Sequence, residues 1–530
     1  MTTRKGNHQP RLPPRYSSKK REIAMASLLD LPLELLGQIV QETIPVDFEA
    51  TALCCKTLFA ASAPFQARYN QRRKRFRDFT FSERTHEKPE DAEESESEEY
   101  WDEITRTTGI QITTTRGLLE QIALDPTLPQ YIQSIDLRGA EESEGSDGEE
   151  ALSSLEGEVP ESLRDLVSTS PFIEAYGRTP EYWIEQIRLS TYEADVFLLT
   201  LLAHVREISL PHRWDDLQPD SHPRDSDRSN KHLWSVLNEI THRANHPEEF
   251  PGASLSMLSV LQPSRESGYE EGSPLTPYEP FLAINSVSEV NLTSCIFNDD
   301  GYTGISFDPK VESYSKSLRK LNLTSCVSGA AELEKLLSRI PNLEILHYSH
   351  ETKWHGCGYF WNIGGFLDTV QKTCSKTLKK LSVTAMTKWG NIGPTLEDLT
   401  HFKKLATLEL DVIMLCGPSY DPSMRLEEGD EIDASGPPAW PKLGNMLPAS
   451  IKRFNLYLDL FADDRLECIS HLIEGLPDAR AERLPHLKKL FLYVSVDSDS
   501  KIPDAAREVL NAAKETGFSI LQFGTRKPLL

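Results

Sequence analysis

Four side chains able to ligate a metal, His347, His350, His355 and Cys357, fall within eleven residues of one another. Imidazole nitrogen and thiolate sulfur are the donors zinc prefers. Their intervals of three, five and two residues are mixed and straddle a predicted strand end and a loop, so they read as surface histidines and no metal is assigned. The overlapping stretch 353–366, KWHGCGYFWNIGGF, gathers Trp354, Tyr359, Phe360, Trp361 and Phe366 among glycines. Exposed Trp and Tyr dominate binding hot spots, which makes Trp354, Tyr359 and Trp361 candidates for contact with a protein substrate. The other reading is that these rings plug the interior between two strand units. Ser95, Ser97 and Ser146 lie in acidic runs that suit an acidophilic kinase and serve equally as polar spacers. The chain holds no phosphate loop, no Gly-x-Ser-x-Gly elbow, no His-Glu-x-x-His and no paired Cys-x-x-Cys, so no catalytic residue and no cofactor is expected.

What must position such residues is a recurring phrase. Apolar side chains at i, i+3 and i+5 occur nine times: Ile132/Ile135/Leu137, Val205/Ile208/Leu210, Val287/Val290/Leu292, Leu318/Leu321/Leu323, Leu343/Leu346/Tyr348, Leu378/Leu381/Val383, Leu405/Leu408/Leu410, Ile451/Phe454/Leu456 and Leu487/Leu490/Leu492. The last two positions alternate as in a strand with one buried face, and the first lies where the chain turns into it. Helical patterns at 330–340, 365–374, 394–402, 465–476 and 505–516 separate the phrases. Strand and helix alternating at such intervals predict a βα solenoid, in which each unit buries its edge by stacking on the next. The phrases resemble leucine-rich repeats. In two of them Thr-Ser-Cys follows the last leucine, placing Cys295 and Cys326 where that family puts Asn or Cys to satisfy backbone groups in the turn. An ordinary α/β domain with parallel strands shares the pattern.

The other organising stretch is 28–65, a three-helix pattern. Asp30 caps the first helix, Pro32 and Glu34 suit its first turn, and Leu35, Leu36, Ile39, Val40 and Thr43 share a side. Pro45 ends it. Asp47 caps a second helix carrying Phe48, Ala52, Leu53 and Cys55, and a third begins at Lys56 with Leu58 and Phe59. Units of about 40 residues seldom stand alone, so another surface must cover its apolar side, either the rest of this chain or another polypeptide.

The order Leu31-Pro32-x-Glu34-Leu35, Ile39-Val40, Asp47-Phe48 and Leu53-Cys54-Cys55-Lys56 resembles the F-box, through which a substrate receptor binds the Skp-type adaptor of a cullin–RING ubiquitin ligase. The resemblance implies that Leu31, Pro32, Leu35, Ile39, Leu53 and Cys54, with Leu58, serve adaptor contact or the small core of the box. It implies a non-catalytic receptor with a Skp-type protein, a cullin scaffold behind it and a protein substrate as partners. A repeat scaffold acting outside any ligase, and an α/β enzyme whose site is assembled from distant residues, are the alternatives.

The expected fold class is thus α/β, a small N-terminal helical module followed by an irregular leucine-rich-repeat-like solenoid with acidic insertions. Its expected divisions are a basic leader (1–25), the box (26–66), a basic connecting helix (67–82), an acidic linker (83–103) and the repeat region (104–530), with loops near 139–160, 212–230, 262–280 and 417–442. Net charge of −24 argues against generic nucleic-acid or anionic-membrane binding, which needs a basic field. The eight cysteines are scattered without the dense spacing of a secreted scaffold, so a reducing compartment, cytoplasmic or nuclear, is the simpler assumption. The most apolar run, 196–205, is half the length of a membrane span.

Overall fold

Each apolar phrase becomes a short strand because its second and third members must share the buried side of a pleat while the residue between them faces away. In the computed structural model all nine phrases do this. The structure describes residue 28 and residues 31–81, 112–140, 158–174, 178–189, 192–217, 230–268, 270–298, 307–353, 361–387, 398–416, 440–459, 466–495 and 504–523. The expected leader and acidic linker, and most of the loops expected at 139–160 and 417–442, lie outside the described residues.

The chain divides into two compact units, residues 1–71 and 72–530. In the first, α1 (Leu33–Glu42), α2 (Phe48–Cys54) and the portion up to Gln71 of α3 (Lys56–Phe76) enclose Leu36, Val40, Phe48, Ala52, Leu58, Ala61 and Tyr69. The rings of Phe48 and Tyr69 meet at 4.4 Å. Pro32 stands at the start of α1 and Asp47 at the start of α2, but the Asp47 side chain makes no capping bond. No break separates the box from a connecting helix: α3 is one helix of 21 residues that runs through Pro64. The connecting helix also ends earlier than expected, because Phe76, Phe79 and Phe81 repeat the i, i+3, i+5 spacing behind a run of arginines. Asp78–Thr80 is accordingly a strand, and all three phenylalanines are buried.

The second unit is α/β, built on a parallel sheet that has twelve strands among the described residues. These are β1 (Asp78–Thr80), β2 (Ser134–Asp136), β3 (Glu207–Ser209), β4 (Val260–Gln262), β6 (Glu289–Thr293), β8 (Lys320–Cys326), β9 (Ile345–Glu351), β10 (Lys380–Thr387), β11 (Thr407–Asp411), β12 (Arg453–Asp459), β13 (Lys489–Ser495) and β14 (Ser519–Phe523), adjacent in that order. Between them β5 (Ser273–Pro274) and β7 (Cys295–Ile296) form a separate parallel pair. Register is kept across the sheet. Phe79, Ile135, Ile208, Leu261, Val290, Leu321, Leu346, Leu381, Leu408, Phe454 and Leu490 stand side by side on successive strands. All are buried, so this row is the spine of the core.

Parallel neighbours need a crossover connection. Helices such as Ala330–Leu337, Ile363–Cys374, Leu466–Ile473 and Asp504–Glu515 supply it, close to where the sequence pattern places them. The helix expected over 394–402 is not seen in its described part, where 398–402 is a turn. Residues 262–280, expected as a polar loop, hold β5 and a short helical stretch, with Ser264, Leu275 and Tyr278 buried. Their polar groups bond to one another, so polarity here marks a buried network and not a solvent loop. Cys416 and Cys468 are joined as a disulfide, which departs at this pair from the assumption of thiols, whereas Cys54, Cys55, Cys295, Cys326 and Cys374 are free.

Candidate functional site

Exposed apolar surface is concentrated in the first unit. Among the described residues ten large apolar side chains are exposed, and seven of them, Leu28, Leu31, Leu33, Leu35, Val46, Leu53 and Phe59, belong to it. Helix α1 is apolar on more than one side: Leu36 and Val40 point inward, while Leu33 and Leu35 are 54% and 43% exposed. In α2 the same division puts Phe48 and Ala52 inside and leaves Leu53 77% exposed. At the start of α3 Leu58 faces in and Phe59 faces out.

The residues proposed for adaptor contact therefore separate. Leu31, Pro32, Leu35, Leu53 and Cys54 are exposed and Ile39 is half-buried. Leu58, grouped with them above, is 6% exposed and belongs to the interior of the unit. Leu33 and Phe59 were missed as surface positions. The signal was present in the alternation Leu31, Leu33, Leu35, since a helix with one buried stripe has no use for leucine there.

The aromatic candidates also separate. Trp354 and Tyr359 lie outside the described residues. Trp361 is 1% exposed, with its indole stacked on His350 at 3.9 Å and edge-on to Phe366 at 5.7 Å. It fills the interior and offers no surface to a substrate. The histidine set separates too: His347 and His350 lie on opposite faces of β9, so they do not converge, and His355 and Cys357 lie outside the described residues.

The densest polar cluster sits at the carboxyl ends of β6, β8 and β9. Ser294 and Ser325, the middle residues of the two Thr-Ser-Cys stretches, take left-handed backbone angles with φ of 57° and 58°. The buried Lys353 donates from Nζ to Ser325 Oγ at 2.6 Å, to Ser294 Oγ at 3.3 Å and to the Gly268 carbonyl at 2.5 Å, and pairs with Glu351 at 2.8 Å. Ser325 in turn donates to Glu351. A lysine beside a serine hydroxyl is a pairing that nucleophilic catalysis uses. Here the carboxylate holds both partners and the hydroxyls are fully buried, so the groups are satisfied by each other and pin the 264–268 segment to the strand ends. Cys295 and Cys326 are buried beside them; the hydrogen bond that the Cys295 thiol donates to Cys326, together with burial, pushes the Cys295 thiol well up. A second knot adjoins it, in which Asp215 accepts from Arg265, Ser273 and Tyr278, and burial still raises its carboxyl above the usual range.

On the face of the sheet opposite the spine, polar side chains follow one another: Asn291, Asn322, His347, Ser382, Glu409 and Asn455, then Phe491. Asn322 donates to Asn291, Asn291 to Gln262 at 3.2 Å, and Asn455 to Glu409 at 2.9 Å. Burial pushes the His347 imidazole down to about 4, with Lys380 and Lys320 acting the same way against Glu409. Toward β13 the face becomes aromatic: Tyr457 stacks on Tyr493 at 4.8 Å, and Arg453 lies over Phe491 at 4.9 Å.

Compared with known proteins, the chain matches no family model and no curated protein. Among the described residues no helix is long and apolar enough to cross a membrane.

Proposed function

We propose that this chain is the substrate-recognition adaptor of a Skp–cullin–F-box type ubiquitin ligase, acting in the cytoplasm or nucleus. The first unit binds the Skp-type adaptor, and through it the cullin scaffold. The second unit, read as an irregular leucine-rich-repeat-like solenoid, binds the protein to be modified. The observation that carries the reading is the exposed set Leu31, Leu33, Leu35, Leu53 and Phe59, on a helical unit whose sequence resembles the F-box. Fully burying an exposed side chain of this size is worth about 1.5–3 kcal/mol, and covering these partly exposed ones recovers a share of that from each. The solenoid reading is supported by the strands following chain order, all parallel, with one apolar phrase to each of nine.

The mechanism is proximity. Holding a substrate lysine near a charged ubiquitin carrier raises its effective concentration, so the receptor needs geometry and surface but no acid, base or nucleophile. Co-expression with a Skp-type adaptor tests the reading. A stable complex is expected, lost on deletion of residues 28–65; failure of the full chain to retain the adaptor refutes it.

A further inference from the structure

Four strands are entered through a pair of cations. In Leu318-Arg319-Lys320-Leu321, Leu378-Lys379-Lys380-Leu381, Ile451-Lys452-Arg453-Phe454 and Leu487-Lys488-Lys489-Leu490, both residues between two buried apolar positions are basic, and Lys403-Lys404 precedes Leu405 on the way into β11. The register turns this repetition into a band. Lys380 stands beside Thr407, Thr407 beside Arg453 and Arg453 beside Lys489. One residue earlier, Lys452 N–H donates to the Ala406 carbonyl at 2.9 Å and Lys488 N–H to that of Lys452 at 3.0 Å. Adjacent strands are about 4.8 Å apart, so these cations crowd one edge of the sheet.

The band has two halves. Over β8 to β10 the structure itself answers the charge: Lys320 pairs with Glu289 at 2.7 Å, Lys379 with Glu344 at 2.6 Å and Lys380 with Glu409 at 3.6 Å. Over β11 to β13, Lys403, Lys404, Lys452, Lys488 and Lys489 are exposed and have no ion pair among the described residues. Lys404 still acts on the Glu344 carboxylate, but Lys403, Lys452, Lys488 and Lys489, four cations without an ion pair among the described residues, repel one another in a chain of net charge −24 where acid is plentiful elsewhere. Next to them lie the half-buried Phe491, Tyr493 and Tyr457, with Arg453 bridging the two sets through its bond to Tyr493 at 3.3 Å.

We infer that this half of the band is a docking surface for an acidic segment of a polypeptide, whose carboxylates lie on Lys452, Lys488 and Lys489 and whose apolar side chains rest on Phe491, Tyr493 and Tyr457. Size and field select the occupant. Three strands span about 10–15 Å, which about four residues of extended chain cover. A nucleic acid or an anionic membrane carries its charge far beyond such a patch, into the field of a strongly acidic protein. In making this segment part of the ligase substrate the inference rests on the function proposed above; the binding itself does not.

The test is fluorescence anisotropy on the full chain with three probes: a short labelled Glu- and Asp-rich peptide containing phenylalanine, the matching Gln and Asn peptide, and a single-stranded oligonucleotide of equal charge. The acidic peptide is expected to bind best and to weaken as salt rises. Lys452→Glu, Lys488→Glu and Lys489→Glu together should weaken it roughly tenfold or more, while Arg at the three positions retains binding. A thermal melt checks that the fold is kept, and Gln replaces Glu if the reversed charges disturb it. Undiminished binding by the variant, equal binding of the neutral peptide, or tighter binding of the oligonucleotide overturns the inference. The same variant should still retain the Skp-type adaptor, so loss of peptide binding and loss of adaptor binding are read separately.

Discussion

Lys353 shows how a residue suited to chemistry is used for architecture. Its ammonium is sealed beside Glu351 and both serine hydroxyls, and removing one member of such a buried pair leaves the other charge uncompensated, at a cost of about 3–5 kcal/mol. Lys353→Met should lower the urea midpoint accordingly, whereas an unchanged midpoint would mean that the cluster is solvated. His347 makes the pH dependence specific. Unfolded, it titrates near 6.5; folded, it is held down to about 4. Between those values the unfolded chain binds a proton that the folded chain does not. The stability that neutral His347 contributes is therefore complete above the unfolded pKa and is lost as pH falls through the window. His347→Asn should reduce the loss of stability between pH 7 and 4; an unaltered pH profile would contradict the assignment. None of this was legible beforehand. Lys353 and Glu351 flank a strand end, and only the register with β8 and the path of the 264–268 segment bring Ser325, Ser294 and the Gly268 carbonyl around them.

At the scale of elements, α1 separates support from surface. Leu36→Ala removes a side chain that is 1% exposed and should cost about 2–4 kcal/mol, read as faster amide hydrogen exchange along α1. Leu35→Asp changes a side chain already facing water and should leave that exchange unchanged, with the loss appearing only in adaptor binding. Equal effects of the two on exchange would mean that α1 has no outer face. Leucines occupy both sides of this helix, so apolar spacing shows that there is a surplus beyond one buried stripe, while only burial alongside Phe48 and Leu58 shows which leucines are the inner ones. The strands were more legible: each of the nine phrases lands on one, since a parallel strand buried along one row demands the same two positions every time. Those that went unread are the ones that weaken the phrase. β4 has Leu258 and Leu261 but Pro263 in third place, β14 has Phe518 and Ile520 but Glu515 in first place, and β1 hides its phenylalanines behind a basic helix end.

For the whole chain, the α/β class followed from phrase and helix alternating, and the residues between phrases decided the rest. Segments that read as polar loops, such as 262–280, are folded into the protein because their hydroxyl and charged groups find partners inside, which composition does not reveal. The Cys416–Cys468 bond closes a separation of 52 residues, and a loop of that length stabilises by about 2–4 kcal/mol through restriction of the unfolded chain. Full reduction should lower the unfolding midpoint by a corresponding amount, and a Cys468→Ala variant should then show no further response to reductant; a midpoint indifferent to reduction would remove the bond from the account of stability.

The central claim is that the exposed leucines of the first unit are an adaptor surface. Titrating a purified Skp-type adaptor into the full chain, beside a variant carrying Leu35→Asp and Leu53→Asp, tests it most directly. The account predicts a saturable one-to-one complex with the native chain and none with the variant, at unchanged α1 protection. Equal binding by both, or by neither, would contradict it.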